Sequence, residues 1–141
     1  APDWLARVVA AFAESPDAGI VFGSVHPGAH DAGRGFVQAY TGGARVLARG
    51  LRDKRDLGGT SACMALRRAT FDRLHGFDAQ LGVGAPLRAA EETDLALRAL
   101  AAGVAVLEDP RLRVTHHGFL EWRHLPELVA RKTFREALGA I

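Results

Sequence analysis

The sequence predicts a mixed α/β domain, because segments with helical periodicity alternate with short apolar segments bounded by turn residues. Residues 19–25 form such an apolar run, which favours a buried strand. With 141 residues and 48% hydrophobic composition, the chain fits one domain, 1–141, with a core of its own. Residues 2–12 are typical of an amphipathic helix, since apolar side chains recur at spacings of three and four: Trp4, Leu5, Val8, Val9 and Phe12.

The same two patterns predict the remaining elements. Gly42 and Gly43 interrupt the helical pattern at 36–49, and Gly76 stands where a helix favours a left-handed ending. Asp109 and Pro110 indicate a turn between the last two strands. We expect helices at residues 36–49, 69–75, 92–102 and 125–138, and strands at residues 60–66, 104–107 and 112–115.

Composition excludes several classes of protein. The formal net charge of +2 is small and the basic residues are spread along the chain, so we expect no nucleic-acid partner. No apolar run approaches the roughly 18 residues that a membrane helix requires. Cys63 is the single cysteine, so an intramolecular disulfide cannot form, and its apolar neighbours favour a buried, inert thiol. A cytoplasmic location is the expectation, with association of the parent protein with a membrane surface as the alternative.

The carboxylates Glu91, Glu92 and Asp94 crowd the start of the helix predicted at 92–102. Acidic residues in a first turn match the helix dipole, so a capping role is one interpretation. A positioned carboxylate that removes a proton from a hydroxyl is the other. Arg98 lies one turn after Asp94 and is expected to pair with it.

Two further places carry candidate functional residues. Gly59 and Thr60 precede a predicted strand, where glycine would allow either a close approach by a ligand or simply the entry of the strand. His116 and His117 follow another strand, and neighbouring residues of a strand point to opposite faces. At most one of these histidines can therefore face a site.

The order of residues across 58–103 resembles the acceptor half of a family-two glycosyltransferase with the GT-A fold. The glycine loop at 82–84 that leads to an acidic pair is the part of the pattern that most favours the resemblance. Pro110, Val114 and His116 continue it. The matching residues are Gly59, Ser61, Arg67, Arg68, Phe71, Gly76, Phe77, Asp78, Gly82, Gly84, Glu91, Glu92, Asp94, Leu95, Arg98 and Gly103.

The resemblance implies a partial GT-A fold, Rossmann-like, without the N-terminal nucleotide-binding half that ends in an Asp-x-Asp metal motif. Residue 1 is Ala rather than Met, so we expect a truncated piece of a longer protein. By its place in the motif, Glu92 would be the general base, with Glu91 as a rival because many relatives have Glu-Asp here. His116 would complete the shell of a Mg²⁺ or Mn²⁺ ion. Substrate would contact the positions of Gly59, Thr60 and Arg98.

The implied function is an inverting transfer of sugar from a nucleotide-diphosphate donor to an acceptor hydroxyl, assisted by a metal ion. The alternative is a non-catalytic binding or assembly module that self-associates through an exposed apolar face. A hydrolase is disfavoured, because glycosidases place two carboxyl groups across the scissile bond and adjacent residues of one helical turn do not oppose each other.

Overall fold

The computed structural model describes residues 3–87, 89–127 and 129. Three helices lie in this part of the chain: α1 (Trp4–Glu14), α2 (Arg68–Arg73) and α3 (Glu91–Ala101). Short 3₁₀ turns occupy Leu51–Asp56, Ser61–Cys63 and Trp122–His124. The strands are β1 (Ala18–Pro27), β2 (Gly35–Val37), β3 (Val46–Ala48), β4 (Met64–Leu66), β5 (Ala105–His116) and β6 (Phe119–Glu121).

The main sheet has four strands in the order β3-β5-β1-β4. Its central strands β1 and β5 are parallel, whereas β3 and β4 pair antiparallel with their neighbours. A separate small sheet joins β2 and β6 in antiparallel register. The mixed α/β class predicted from the sequence is therefore confirmed.

Helix α1 covers one face of the main sheet. Its buried residues Val8 and Ala11 pack with Val21 of β1 and Leu107 of β5. Cys63 is buried in the same cluster, and burial raises the pKa of its thiol, as expected for an inert cysteine. This face of the core thus depends on the side of α1 that the apolar spacing predicted.

Helices α2 and α3 cover the opposite face. Leu95 and Ala99 of α3 are almost completely buried against Ile20 of β1 and Val106 of β5. Successive strand residues point to opposite faces, so Ile20 and Val106 face α3 while their neighbours in sequence face α1. The sheet therefore lies between two helical layers.

The prediction of a turn at Asp109 and Pro110 that separates two strands is wrong. One long strand, β5, runs through it and pairs with β1 on both sides, although the register shifts at this point. The irregularity explains why proline is accepted, because residues outside a regular ladder need no N–H donor. Asp109 accepts the backbone N–H of Arg111 at 3.0 Å and so holds the irregular segment in shape.

The helix predicted at 36–49 is also wrong, since this segment supplies β2 and β3. Leu47 pairs with Leu107 across β3 and β5, and Tyr40 makes an isolated bridge with Val25. These pairings to distant residues override the weak local pattern that Gly42 and Gly43 interrupt. Of the strand predicted at 60–66 only Met64–Leu66 is extended. Most of the helix predicted at 125–138 lies outside the described residues.

A buried carboxylate joins the irregular part of β5 to the loop before β3. The Asp109 side chain is 0% exposed and accepts hydrogen bonds from Arg111 Nη2 at 2.6 Å and from Arg45 Nε at 3.1 Å. Burial by itself would raise the pKa of this carboxyl, but the hydrogen bonds from Arg111 and Arg45 outweigh it and hold the pKa below its usual range. Arg111 also binds Glu14 of α1.

Replacement Asp109→Asn is expected to reduce the free energy of unfolding at neutral pH by about 3 kcal/mol, because it leaves two guanidinium groups without their buried partner. The pKa of Asp109 is depressed in the folded state, so its contribution is present above the carboxyl's ordinary pKa near 4 and is lost as pH falls below it. Urea unfolding measured from pH 7 to pH 3 tests this.

The matched control is Asp17→Asn, which removes a carboxylate from an exposed ion pair with Arg49 and should change stability little. The loss of stability caused by Asp109→Asn should shrink as the pH falls below the carboxyl's ordinary pKa, because the unfolded wild-type chain then takes up a proton before the folded chain does. A loss that is the same at every pH would contradict the assignment.

Candidate functional site

The start of α3 and His116 lie towards the carboxyl-terminal half of β5, whereas Gly59 lies beside the middle of β1. Helix α3 packs on β5 and ends shortly before that strand begins, so the start of α3 points back along β5 towards its carboxyl-terminal half. His116 is the last residue of β5. Gly59 approaches Phe22 of β1 so closely that an added Cβ would lie 2.1 Å from the Phe22 ring. Ligand sites of α/β sheets form outside the carboxyl ends of strands, which is the end of β5 where His116 lies.

Backbone hydrogen bonds hold the glycine loop closed just before α3 begins. The Gly82 N–H donates to the Leu87 carbonyl, and the Leu87 N–H donates to the Gln80 carbonyl, each at 2.8 Å. Gly82 has a φ of +96° and lies against the Glu91 side chain, where an added Cβ would meet the carboxyl carbon at 3.2 Å. A side chain at this position would therefore disturb both the turn and Glu91.

Asp94 and Arg98 form the ion pair that their spacing predicts, with Arg98 Nη2 2.7 Å from the carboxylate. Arg98 also donates to the carbonyls of Leu74 and Gly76 at the end of α2. These two side chains thus tie α3 to the turn after α2, where Gly76 has the predicted left-handed conformation. Both are engaged in contacts that hold helices together.

Glu92 differs from Asp94 in its surroundings. It lies one helical turn before Ala96 and two turns before Ala99, which are buried against the sheet, so it is on the sheet-facing side of α3. The side chain is half-buried and forms no hydrogen bond or ion pair with the described residues. Its carboxylate is consequently available to a ligand, while Glu91 rests against the glycine loop.

Sequence reasoning missed a buried carboxylate in the amino-terminal half of β5, next to the segment that contains Gly59 and Thr60. Glu108 of β5 is 3% exposed and accepts hydrogen bonds from the Tyr40 hydroxyl at 2.5 Å and from the Gly58 N–H at 3.0 Å. Burial raises the pKa of Tyr40, and the hydrogen bond to Glu108 and its charge add to the effect. The available signal was a charged residue inside an apolar strand, since such residues are rarely buried without partners. Glu108 fixes the Gly58 end of the segment that contains Gly59 and Thr60.

His116 and His117 lie in different surroundings. His116 Nδ1 is 3.2 Å from the Gln38 carbonyl oxygen, and its ring lies over Gly118. The His117 ring lies instead over Gly28. Across residues 3–87, 89–127 and 129, no three His, Cys, Asp or Glu side chains form a group that would hold a metal ion. His116 is a single donor here, and one imidazole is not a site for Mg²⁺ or Mn²⁺.

Comparison of the chain with protein-family models, with curated proteins and with solved structures found no match. Within the described part of the chain, no helix has the length and apolar character needed to cross a membrane.

Ala90 immediately precedes the acidic turn, which is the first turn of α3 with Glu91, Glu92 and Asp94, and its backbone is strained. Ala90 caps α3 with a φ of +72° and offers no side-chain hydrogen bond to the helix. The left-handed conformation costs a residue with a Cβ about 1–2 kcal/mol, part of which glycine recovers. We expect Ala90→Gly to raise the free energy of unfolding by about 1 kcal/mol, measured by urea unfolding. Ala101→Gly, at the last residue of α3, is the control and should not raise stability, because Ala101 is in a helical conformation that glycine does not favour. Destabilisation by both replacements would contradict a left-handed Ala90.

Proposed function

We propose that the chain is the acceptor-side part of an inverting glycosyltransferase in which Glu92 is the general base. The observation that carries the proposal is the contrast among the three carboxylates at the start of α3. Asp94 is paired with Arg98, whereas Glu91 and Glu92 are both half-buried and form no hydrogen bond or ion pair with the described residues. Of these two, Glu91 lies against the turn at Gly82, and Glu92 lies on the sheet-facing side of α3 away from that turn. A general base must be positioned and yet free to accept a proton.

In this reaction Glu92 accepts the proton of the acceptor hydroxyl as the hydroxyl oxygen attacks the anomeric carbon of the donor sugar. The new C–O bond forms on the face opposite the departing diphosphate, which leaves with the electron pair of the old bond. The configuration at the anomeric carbon is therefore inverted. A positioned base contributes typically about 10²- to 10⁴-fold to such a step.

The donor class and the cofactor belong to the same proposal. A nucleotide-diphosphate sugar is the donor that the resemblance implies, and Mg²⁺ or Mn²⁺ the ion that accompanies it. The described residues do not form a metal site by themselves. His116 would contribute one ligand, and carboxylates outside the set described above would have to supply the others.

An assembly module without catalytic activity is the second candidate. Leu5 and Val9 are 67% and 62% exposed, and they lie one turn apart on the outer side of α1. Adjacent exposed apolar side chains of this size favour a contact with another protein surface. The two candidates differ in whether Glu92 is needed for turnover.

In a protein that carries this chain together with a nucleotide-sugar site, we expect Glu92→Gln to lower kcat by about 10²-fold or more, because the amide cannot accept the proton. Donor affinity and the melting temperature should stay close to the wild type. Glu91→Gln removes the same charge one residue earlier and serves as the matched control, with a smaller effect. Equal effects of the two variants, or a larger one at Glu91, would contradict the assignment of the base.

The role of His116 is tested by metal binding in the same protein. His116→Ala is expected to weaken the affinity for Mn²⁺, measured by titration calorimetry in the presence of the nucleoside diphosphate. His117→Ala is the control, because its ring lies over Gly28 rather than beside His116. The same affinity in both variants would remove His116 from the metal site.

A further inference from the structure

A cavity of about 400 Å³ opens at the other edge of the main sheet, where β1 and β5 begin. Its volume lies in the range of about 300–1,000 Å³ that is usual for small-molecule sites. Ala18, Gly19 and Ala105 line it from the strands, and three arginines line it from the surrounding segments: Arg49, Arg67 and Arg73. No residue of the proposed catalytic site takes part, so the cavity is independent of that proposal.

Two of the three arginines, Arg67 and Arg73, donate hydrogen bonds to backbone carbonyls that fix their position. Arg67 donates to the carbonyls of Ala18 at 2.9 Å and Phe12 at 3.1 Å, and its guanidinium lies 4.6 Å from the centre of the Phe12 ring. Arg73 donates to the Ala102 carbonyl at 2.8 Å. A guanidinium has more N–H donors than these contacts use, so donors remain for a ligand.

The charge in the cavity is not balanced. Asp17 pairs with Arg49 at 2.7 Å and is the one carboxylate among the lining residues, against three guanidinium groups. Like charges that share a cavity repel one another, and an anion between them removes this cost. Arg73, the last residue of α2, donates to the Ala102 carbonyl at the carboxyl end of α3. This contact accounts for the position of Arg73, but it does not explain why Arg73 lines the same cavity as Arg49 and Arg67.

A neutral donor completes the lining. The Thr70 side chain is 8% exposed, and its hydroxyl forms no hydrogen bond with the described residues. It lies beside Gly19, where an added Cβ would come within 2.5 Å of the hydroxyl oxygen. Thr70 lines the cavity, so its hydroxyl can donate a hydrogen bond to a ligand oxygen there.

We propose that this cavity binds a phosphate group of a small molecule or of a lipid headgroup. Guanidinium groups match the geometry of phosphate oxygens through paired N–H donors, and fixed side chains lose little entropy when they bind. Arg67 and Arg73 would hold the phosphate oxygens with charge-assisted hydrogen bonds, Arg49 would add charge at the rim, and Thr70 would donate its hydroxyl.

The test is binding of inorganic pyrophosphate to the whole chain, measured by titration calorimetry and by shifts of the Arg67 and Arg73 Nε–Hε resonances. We expect saturable binding that weakens as NaCl is added, because exposed charges are screened. Arg73→Gln and Arg49→Gln should each weaken it about tenfold through loss of charge and hydrogen bonds. Arg49 is 62% exposed, so its variant keeps the test valid if Arg73→Gln does not fold.

The matched control is Arg113→Gln, which removes the same charge and a contact with the Pro110 carbonyl but lies outside the cavity. It should bind pyrophosphate like the wild type. A parallel measurement uses phosphatidylcholine vesicles with or without phosphatidylglycerol. Binding to the anionic vesicles but not to pyrophosphate, lost in Arg49→Gln and kept in Arg113→Gln, would identify a lipid headgroup as the source. Failure to bind either probe, or equal losses in all three variants, would overturn the proposal.

Discussion

The parallel pairing of β1 and β5 is the constraint on which the rest of the structure depends. Parallel strands have to be covered on both faces, and here α1 covers one face while α2 and α3 cover the other. Full burial of an aliphatic side chain contributes about 1.5–3 kcal/mol, so strands with a buried residue on each face gain stability at every position. Gly23 shows how close the packing is, because an added Cβ would lie 2.6 Å from Leu112. Each end of this strand pair then presents a different set of side chains.

The elements that the sequence predicted correctly are those in which the spacing of apolar residues along the segment reflects which side is buried. Residues 19–25 are apolar because both faces are covered, and α1 and α3 show helical spacing because one side of each packs on the sheet. The segment 36–49 has no such pattern, because its short strands are decided by distant partners, about 60 residues further along the chain for β3 and about 84 for β2. The turn predicted at Asp109 and Pro110 was also wrong because distant contacts decide the structure there. Asp109 forms ion pairs with Arg45 and Arg111, and the contact with Arg45 cannot be read from the local sequence.

The candidate site was predicted in composition but not in detail. The sequence motif placed three carboxylates at the start of α3, but only the structure shows how their surroundings differ. Asp94 forms an ion pair with Arg98, whereas Glu92 forms no hydrogen bond or ion pair with the described residues. Glu108 was missed because its partners Tyr40 and Gly58 are distant in sequence. Spacing within one helix is visible in the sequence, while hydrogen bonds between separate segments are not.

The two edges of the sheet carry opposite charge, and this has a consequence for the proposed reaction. A diphosphate placed beside Glu91 and Glu92 would be repelled unless a cation lay close to it. Gly103 lines the arginine cavity at the far end of α3, and a helix of 11 residues spans about 16 Å. That distance exceeds the screening length of about 8–10 Å at physiological ionic strength. The cavity arginines are therefore too far away to neutralise a donor at the other end of the strands, and Arg98 is the cation that the described residues place within α3 itself.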